Sequence, residues 1–297
     1  MIKLGVIGMS YGNGHPYSWA AIFNGFDKIE MSKCTFPVIP EYLSKQNFPK
    51  DFLSDLGRVS HIWTQDINVS NQIAKASKIE NVVSNIEDLC NNVDAVLLAR
   101  DDAENHFQMS IPFLNSGIPI FIDKPFALSV EDANAMLLLQ KFESQIFTCS
   151  ALRYADELLL SRDEISRLGH ITYVEGTIMN KWETYGIHIL EPLVSQLPNR
   201  GKLINVKAYM KDNFHIVNVK WEKCEAMLKV TGTNKSNLAI SFSGNNLTIT
   251  KKFNDSFSCF RKSLSIFINS VKEKKIVIER SETLELVEIL QKGRYYE

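Results

Sequence analysis

No run of about 18 consecutive apolar residues occurs in the 297-residue chain, so no helix is expected to span a membrane. The apolar start, Met1 to Gly8, is too short for the hydrophobic core of a secretion signal. Charge of one sign is missing as well. Lys plus Arg (33) almost cancels Asp plus Glu (34), leaving a net charge of -1 and no field that would gather nucleic acid or a membrane surface. The five cysteines, Cys34, Cys90, Cys149, Cys224 and Cys259, are scattered, odd in number and without a C-x-x-C pair. This excludes a disulfide framework and a structural zinc site, and points to a reducing cytoplasm. Low-complexity sequence and internal repeats are absent too.

What remains is ordinary globular sequence, 45% hydrophobic and long enough for two domains. Compact apolar runs at 2–7, 59–64, 81–83, 93–99, 118–122 and 145–149 alternate with helical patterns at 18–23, 68–78, 86–90, 104–115 and 130–141. Such alternation predicts an α/β first domain, residues 1–150, built on a doubly wound parallel sheet. Prolines 37, 40 and 49 break the period between 27 and 57. That stretch reads as an insertion with at most one short helix, near Asp51 to Asp55. From 151 to 297 the text changes to a helix over 155–168, then period-two runs, then helices at 256–272 and 282–292. The expectation is an α+β domain with a mostly antiparallel sheet.

Three places carry chemistry. The turn Gly8-Met9-Ser10-Tyr11-Gly12-Asn13-Gly14-His15 after the first strand, followed by Pro16, has the layout of a phosphate loop at a helix amino terminus. Its glycines do not keep the G-x-G-x-x-G spacing, so a plain turn is the alternative. Asp123-Lys124-Pro125 places an ammonium at the carboxyl end of a strand, the ligand-binding edge of open α/β sheets; as a tripeptide it is also an ordinary turn. In the second domain His188 and Glu191, three apart on a helix beginning near Gly186, share a face, with Tyr185 just before it. No second histidine follows His188 at i+4, so no metal is expected.

Taken together and in order, these landmarks resemble the glucose-fructose oxidoreductase and inositol dehydrogenase (Gfo/Idh/MocA) family: the glycine turn from Gly8 to Gly14, Asp123-Lys124-Pro125, Arg153 after the sixth strand, and Gly186-Ile187-His188-Ile189-Leu190-Glu191. The resemblance runs nearly end to end. It implies an N-terminal Rossmann domain followed by the α+β domain, NAD or NADP as redox carrier, a small-molecule carbohydrate (a sugar, nucleotide sugar or polyol) as substrate, and a homodimer or homotetramer. It implies that Lys124 handles the proton with His188 as partner, and that Lys124-Pro125 is a cis bond. Cofactor contacts are implied for Gly8, Ser10, Gly12, Asn13, Gly14, Thr64, Arg100, Asp101, His106, Asp123, Lys124 and Arg153, and substrate contacts for Lys124, Tyr154, Trp182, Tyr185, His188 and Glu191. Several positions depart from the family. Asp123 stands for Glu, Glu191 for Asp, and Thr64, with Asp66 beyond it, for the acid that binds ribose hydroxyls. Arg100 replaces a Thr-Pro pair, and either favours a 2'-phosphate or pairs with Asp101 or Asp102. The expected activity is NAD(P)-dependent oxidation or reduction at CH-OH carbons. One variant holds NAD(H) tightly and recycles it between two sugars; the alternative is a non-redox binding or regulatory protein with a degenerate cofactor site.

Overall fold

The computed structural model describes residues 1–295 and shows two compact units. The first comprises Met1–Ala127, Glu131–Thr148 and Phe260–Glu279; the second comprises Leu128–Val130, Cys149–Cys259 and the chain from Arg280 on. A single cut at 150 therefore misses the return of 260–279 to the first unit. The cause is aromatic packing: Phe267 lies 5.6 Å from Phe121 and 5.7 Å from Phe147, both first-unit strand residues.

In the first unit the order is β1 (Ile2–Ile7), α1 (His15–Asn24), α2 (Lys28–Met31), α3 (Val38–Ser44), β2 (Gly57–Trp63), α4 (Ile67–Ala76), β3 (Asn81–Val82), β4 (Ala95–Leu98), α5 (His106–Ser116), β5 (Ile120–Ile122), α6 (Val130–Leu138) and β6 (Ile146–Thr148). All six strands pair in parallel, in the order β3-β2-β1-β4-β5-β6. Parallel strands covered on both faces need continuous apolar runs, and Ala95–Leu98 and Ile120–Ile122 are wholly buried. The order reverses between β1 and β4, which puts the loops after these strands beside the crevice where such sheets take ligands. At Gly8 a Cβ would come within 2.3 Å of the Pro16 ring, so only glycine lets α1 start this close to the end of β1.

The insertion departs from the sequence reading. It forms two helices, α2 and α3, while residues 51–55 are turns. Asp27 starts α2 by accepting from the amides of Ile29 and Glu30, and Met31 and Leu43 are fully buried.

The second unit contains α7 (Arg162–Leu168), β7 (Ile171–Ile178), α8 (Trp182–Tyr185), α9 (Ile187–Val194), β8 (Leu203–Lys211), β9 (Phe214–Trp221), β10 (Glu225–Val230), β11 (Ala239–Gly244) and β12 (Thr248–Lys252). Helix α10 (Ser256–Glu273) carries the chain back to the first unit, and α11 (Arg280–Lys292) closes the second. The sheet order is β12-β11-β7-β10-β9-β8, antiparallel except for the parallel pair β7 and β10. Alternate residues face inward, among them Val174, Gly176 and Ile178 on β7 and Ala226, Leu228 and Val230 on β10. A Cβ at Gly176 would meet Ile189 at 3.2 Å, so the glycine lets α9 lie close against the sheet. The helix expected over 155–168 begins only at Arg162, because Ser161 and Glu164 form a capping box; before it lies a short 3-10 turn at Asp156–Leu158.

Candidate active site

In the first unit the candidate residues gather at the carboxyl ends of β1, β4 and β5. Asp123, just past β5, is almost fully buried and accepts from the Asn13 amide at 3.0 Å and the Lys124 backbone N-H at 2.8 Å. His15 Nδ1 lies 2.5 Å from Asp123 Oδ2, the oxygen that also accepts from Asn13, and the His15 ring stacks on Trp19. Burial alone would raise this carboxyl; the charges of His15 and Lys124 and the bonds they make outweigh it and hold Asp123 at about 2. The shorter side chain in place of Glu is therefore fully used in fastening the glycine turn to the end of β5. His15 is a partner that sequence reasoning missed. A histidine at the first helical position after a glycine turn was its only signal.

Lys124 is 5% exposed, its bond to Pro125 is cis as the resemblance implied, and its ammonium lies 3.4 Å from Asp101. Asp101 also takes the Ser10 hydroxyl at 2.5 Å and returns its own N-H to that hydroxyl at 3.1 Å. Arg100 adopts the pairing alternative: Nε donates to Asp102 at 2.8 Å, Nη2 pairs with the other oxygen, and Nη1 reaches the Met9 carbonyl and the Gln65 amide oxygen. Gln65, a further residue not foreseen, also accepts the Met9 N-H at 3.0 Å. Thr64 turns its hydroxyl into its own loop, onto the Asp66 carbonyl and Ser70, while Asp66 caps α4.

His106 needs correction as a cofactor contact. It is fully buried, with one ring nitrogen 3.0 Å from the Phe126 carbonyl and the other 3.0 Å from the Arg100 carbonyl, so it braces two loops from within.

In the second unit α9 presents His188 and Glu191 to the segment after β6. Ser150, missed in the sequence, binds both: its hydroxyl lies 2.8 Å from His188 Nδ1 and its N-H donates to Glu191 at 2.6 Å. Arg153 reaches Glu191 at 3.4 Å and Glu282, in the first turn of α11, at 2.6 Å. Burial pushes Glu191 up to about 7 against the pull of Arg153 and Ser150. Tyr185 packs edge-on against His188 at 5.4 Å, and burial raises the Tyr154 phenol, keeping it a neutral hydroxyl. Trp182 is corrected as a substrate contact: it is 1% exposed, its indole N-H donates to the Leu290 carbonyl, and its ring lies against Gly186 and Gly293 in the core. Among the described residues no group of three or more His, Cys, Asp or Glu could hold a metal ion, and no helix is long and apolar enough to cross a membrane.

The glycine turn fits a dinucleotide. Among the described residues the N-H groups of Ser10, Tyr11, Gly12 and Gly14 make no hydrogen bond, Gly12 has φ +81° with open space about it, and α1 begins directly beyond. Unspent backbone donors beside a helix amino terminus suit a diphosphate.

A parallel sheet in this order, with this loop after its first strand, defines a dinucleotide-binding Rossmann domain. The chain belongs to the GFO_IDH_MocA family, an oxidoreductase family with an NAD-binding Rossmann fold, whose model matches residues 2–150. No curated protein matches it by sequence. Solved structures share the fold across both units. GenD2 from gentamicin A biosynthesis, in complex with NAD, is 12% identical with a TM-score of 0.75, covering 98% of this chain and 92% of its own. Apo scyllo-inositol dehydrogenase from Lactobacillus casei is 12% identical with a TM-score of 0.73 and coverage of 100% and 96%. Biliverdin reductase from Synechocystis, in complex with biliverdin and NADP+, is 12% identical with a TM-score of 0.69 and coverage of 99% and 98%.

Proposed function

We propose that the protein is an NAD(P)-dependent oxidoreductase acting at a CH-OH carbon of a small sugar, nucleotide sugar or polyol, with Lys124 and His188 handling the hydroxyl proton. The observation that carries this reading is the placement of Lys124: a buried ammonium just past β5, at the ligand edge of a Rossmann sheet. A relative that is an inositol dehydrogenase supports the polyol class. Bound nicotinamide supplies the hydride acceptor or donor. The chain's task is the proton: an alcohol carbon that loses hydride becomes a carbonyl only as its hydroxyl proton departs. The Lys124 amine takes that proton in oxidation, becoming the ammonium, and the ammonium gives it back in reduction. His188, its ring fixed through Nδ1 by Ser150, orients the same hydroxyl. Tyr154 and Tyr185 offer hydroxyl donors to the rest of a polyol.

The test is a Lys124→Ala variant assayed on a panel of sugars and polyols, alongside NADH binding by fluorescence. We expect kcat to fall by about 100-fold or more while NADH still binds; turnover at the parent rate would remove the role. A second reading, a non-redox binding protein, is favoured by one observation: Arg100, Lys124 and His15 are each paired with a carboxylate of their own chain. Saturable NADH or NADPH binding separates the two.

A further inference from the structure

The second unit holds a cavity that the site above does not use. Its volume is about 220 Å³, below the roughly 300–1,000 Å³ of drug-sized sites, so only a small occupant fits. It lies where the carboxyl end of α9 meets α7, the start of β7 and the turn from β9 to β10. Ile165, Ile171 and Leu197 give it an apolar wall. Cys224 adds to that wall: burial pushes its thiol up to about 11, so it stays a neutral, unreactive sulfur. The remaining ionisable groups are all basic. Arg200, Lys223 and His170 line the cavity, and among the described residues no Asp or Glu does.

Arg200 decides what such a cavity can hold. Its side chain is 11% exposed, its Nε donates to Glu285 and its Nη1 to the carbonyls of Val194 and Leu197, while Nη2 makes no hydrogen bond among the described residues. Glu285 offsets the guanidinium only in part, because the same oxygen also accepts the Trp221 indole N-H. The acids beside Lys223 are engaged elsewhere: Glu222 accepts the Lys202 N-H, and Glu225 pairs with Lys220. A nearly buried guanidinium with a donor to spare, in a cavity lined by no acid, suits a carboxylate.

We propose that this cavity is a second ligand site, taking a small monocarboxylate with an apolar body, aromatic or branched aliphatic. The carboxylate meets Arg200 and Lys223, and the body lies on Ile165, Ile171 and Leu197. A sugar would leave hydroxyls unsatisfied against that wall, and inorganic phosphate would leave the wall uncovered. The cavity shares no residue with the site of Lys124 and His188. Along α9 alone, His188 and Val194 are separated by a rise of about 9 Å, and the cavity begins beyond Val194. The ligand therefore binds without closing the active site, and its binding stands whether or not that site is redox-active.

The experiment is fluorine NMR of the full-length protein with para-fluorobenzoate as probe, beside its neutral analogue para-fluorobenzamide and its cationic analogue para-fluorobenzylamine. We expect saturable line broadening of the benzoate, binding of the amide weaker by about tenfold, and no broadening of the amine. Lys223→Glu, at an exposed position where folding is not at stake, should weaken the benzoate about tenfold. Arg200→Gln should weaken it further, and Lys223→Glu decides alone if that variant does not fold. Lys124→Ala should bind the benzoate like the parent, and added inorganic phosphate should not displace it. The proposal is overturned if the benzoate does not saturate, if the amide or the amine binds as tightly, if Lys223→Glu binds like the parent, or if phosphate displaces the probe. Loss of binding in Lys124→Ala also overturns it, since the probe would then occupy the other site. None of these outcomes touches the redox reading, which turnover by Lys124→Ala tests separately.

Discussion

Two carboxyl groups, each nearly sealed from water, behave in opposite ways. Asp123 in the first unit and Glu191 in the second are 1% and 2% exposed. Burial works against the charge of both, yet Asp123 is held at about 2 and Glu191 is pushed up to about 7. The difference lies in how many donors each commands. Asp123 takes Asn13, His15 and the Lys124 N-H for itself. Glu191 has the Ser150 N-H and a distant Arg153, and that guanidinium lies closer to Glu282, at 2.6 Å against 3.4 Å. A buried acid stays ionised when its donors are undivided and drifts toward neutrality when a second acid shares them.

This contrast is broken most forcefully at Arg153. Replacing it with Met leaves the buried Glu191 and the partly exposed Glu282 around an apolar side chain, and we expect a loss of about 3 kcal/mol in urea unfolding at neutral pH. A loss under about 1 kcal/mol would show that the two acids do not depend on the guanidinium. Asp123→Asn comes next, at about 2 kcal/mol, since it strips the charge from one strong acceptor but keeps its shape. Its pH dependence carries the sign. Asp123 is lowered from 3.8 to about 2, so its stabilisation is present above 3.8 and lost as pH falls through about 2. The gap between parent and variant should close over that acid range; a gap independent of pH would mean the charge was immaterial.

How much of this was visible beforehand follows the range over which each feature is encoded. Strand and helix alternation in the first domain is local, and β4 and β5 lie where their apolar runs place them. Lys124 and His188 were singled out because they sit in short motifs beside a proline or a glycine, and Arg153 only by its place after the sixth strand in the family resemblance. What escaped was partnership. His15 is 108 positions from Asp123, Gln65 is 56 from Met9, and Ser150 is 38 from His188. Nothing in a local window reports such pairs. The helices of the insertion were lost for different reasons: α2 spans only four residues, too few to show a period, whereas before α3 a proline read as a breaker begins the helix instead, Pro37 immediately preceding it. Trp182 failed in the opposite direction, a tryptophan near a motif whose neighbours Gly186 and Gly293 make a core slot for its ring.

The smallest effect is also the one that discriminates best, because its sign changes with pH. Glu191 is raised from 4.5 to about 7, so the folded protein binds its proton more tightly than the unfolded chain does between those values. Its contribution to stability is therefore full below 4.5 and lost as pH rises through about 7, the reverse of Asp123. Glu191→Gln keeps a neutral acceptor for the Ser150 N-H and leaves Arg153 to Glu282 alone. Near pH 5 the parent should be the more stable by up to about 1 kcal/mol, and near pH 8 the variant should be ahead by a similar amount. Urea midpoints at the two pH values decide it. If the parent keeps its lead at the higher pH, Glu191 is a satisfied carboxylate like Asp123, and sharing of Arg153 does not explain the difference between the two units.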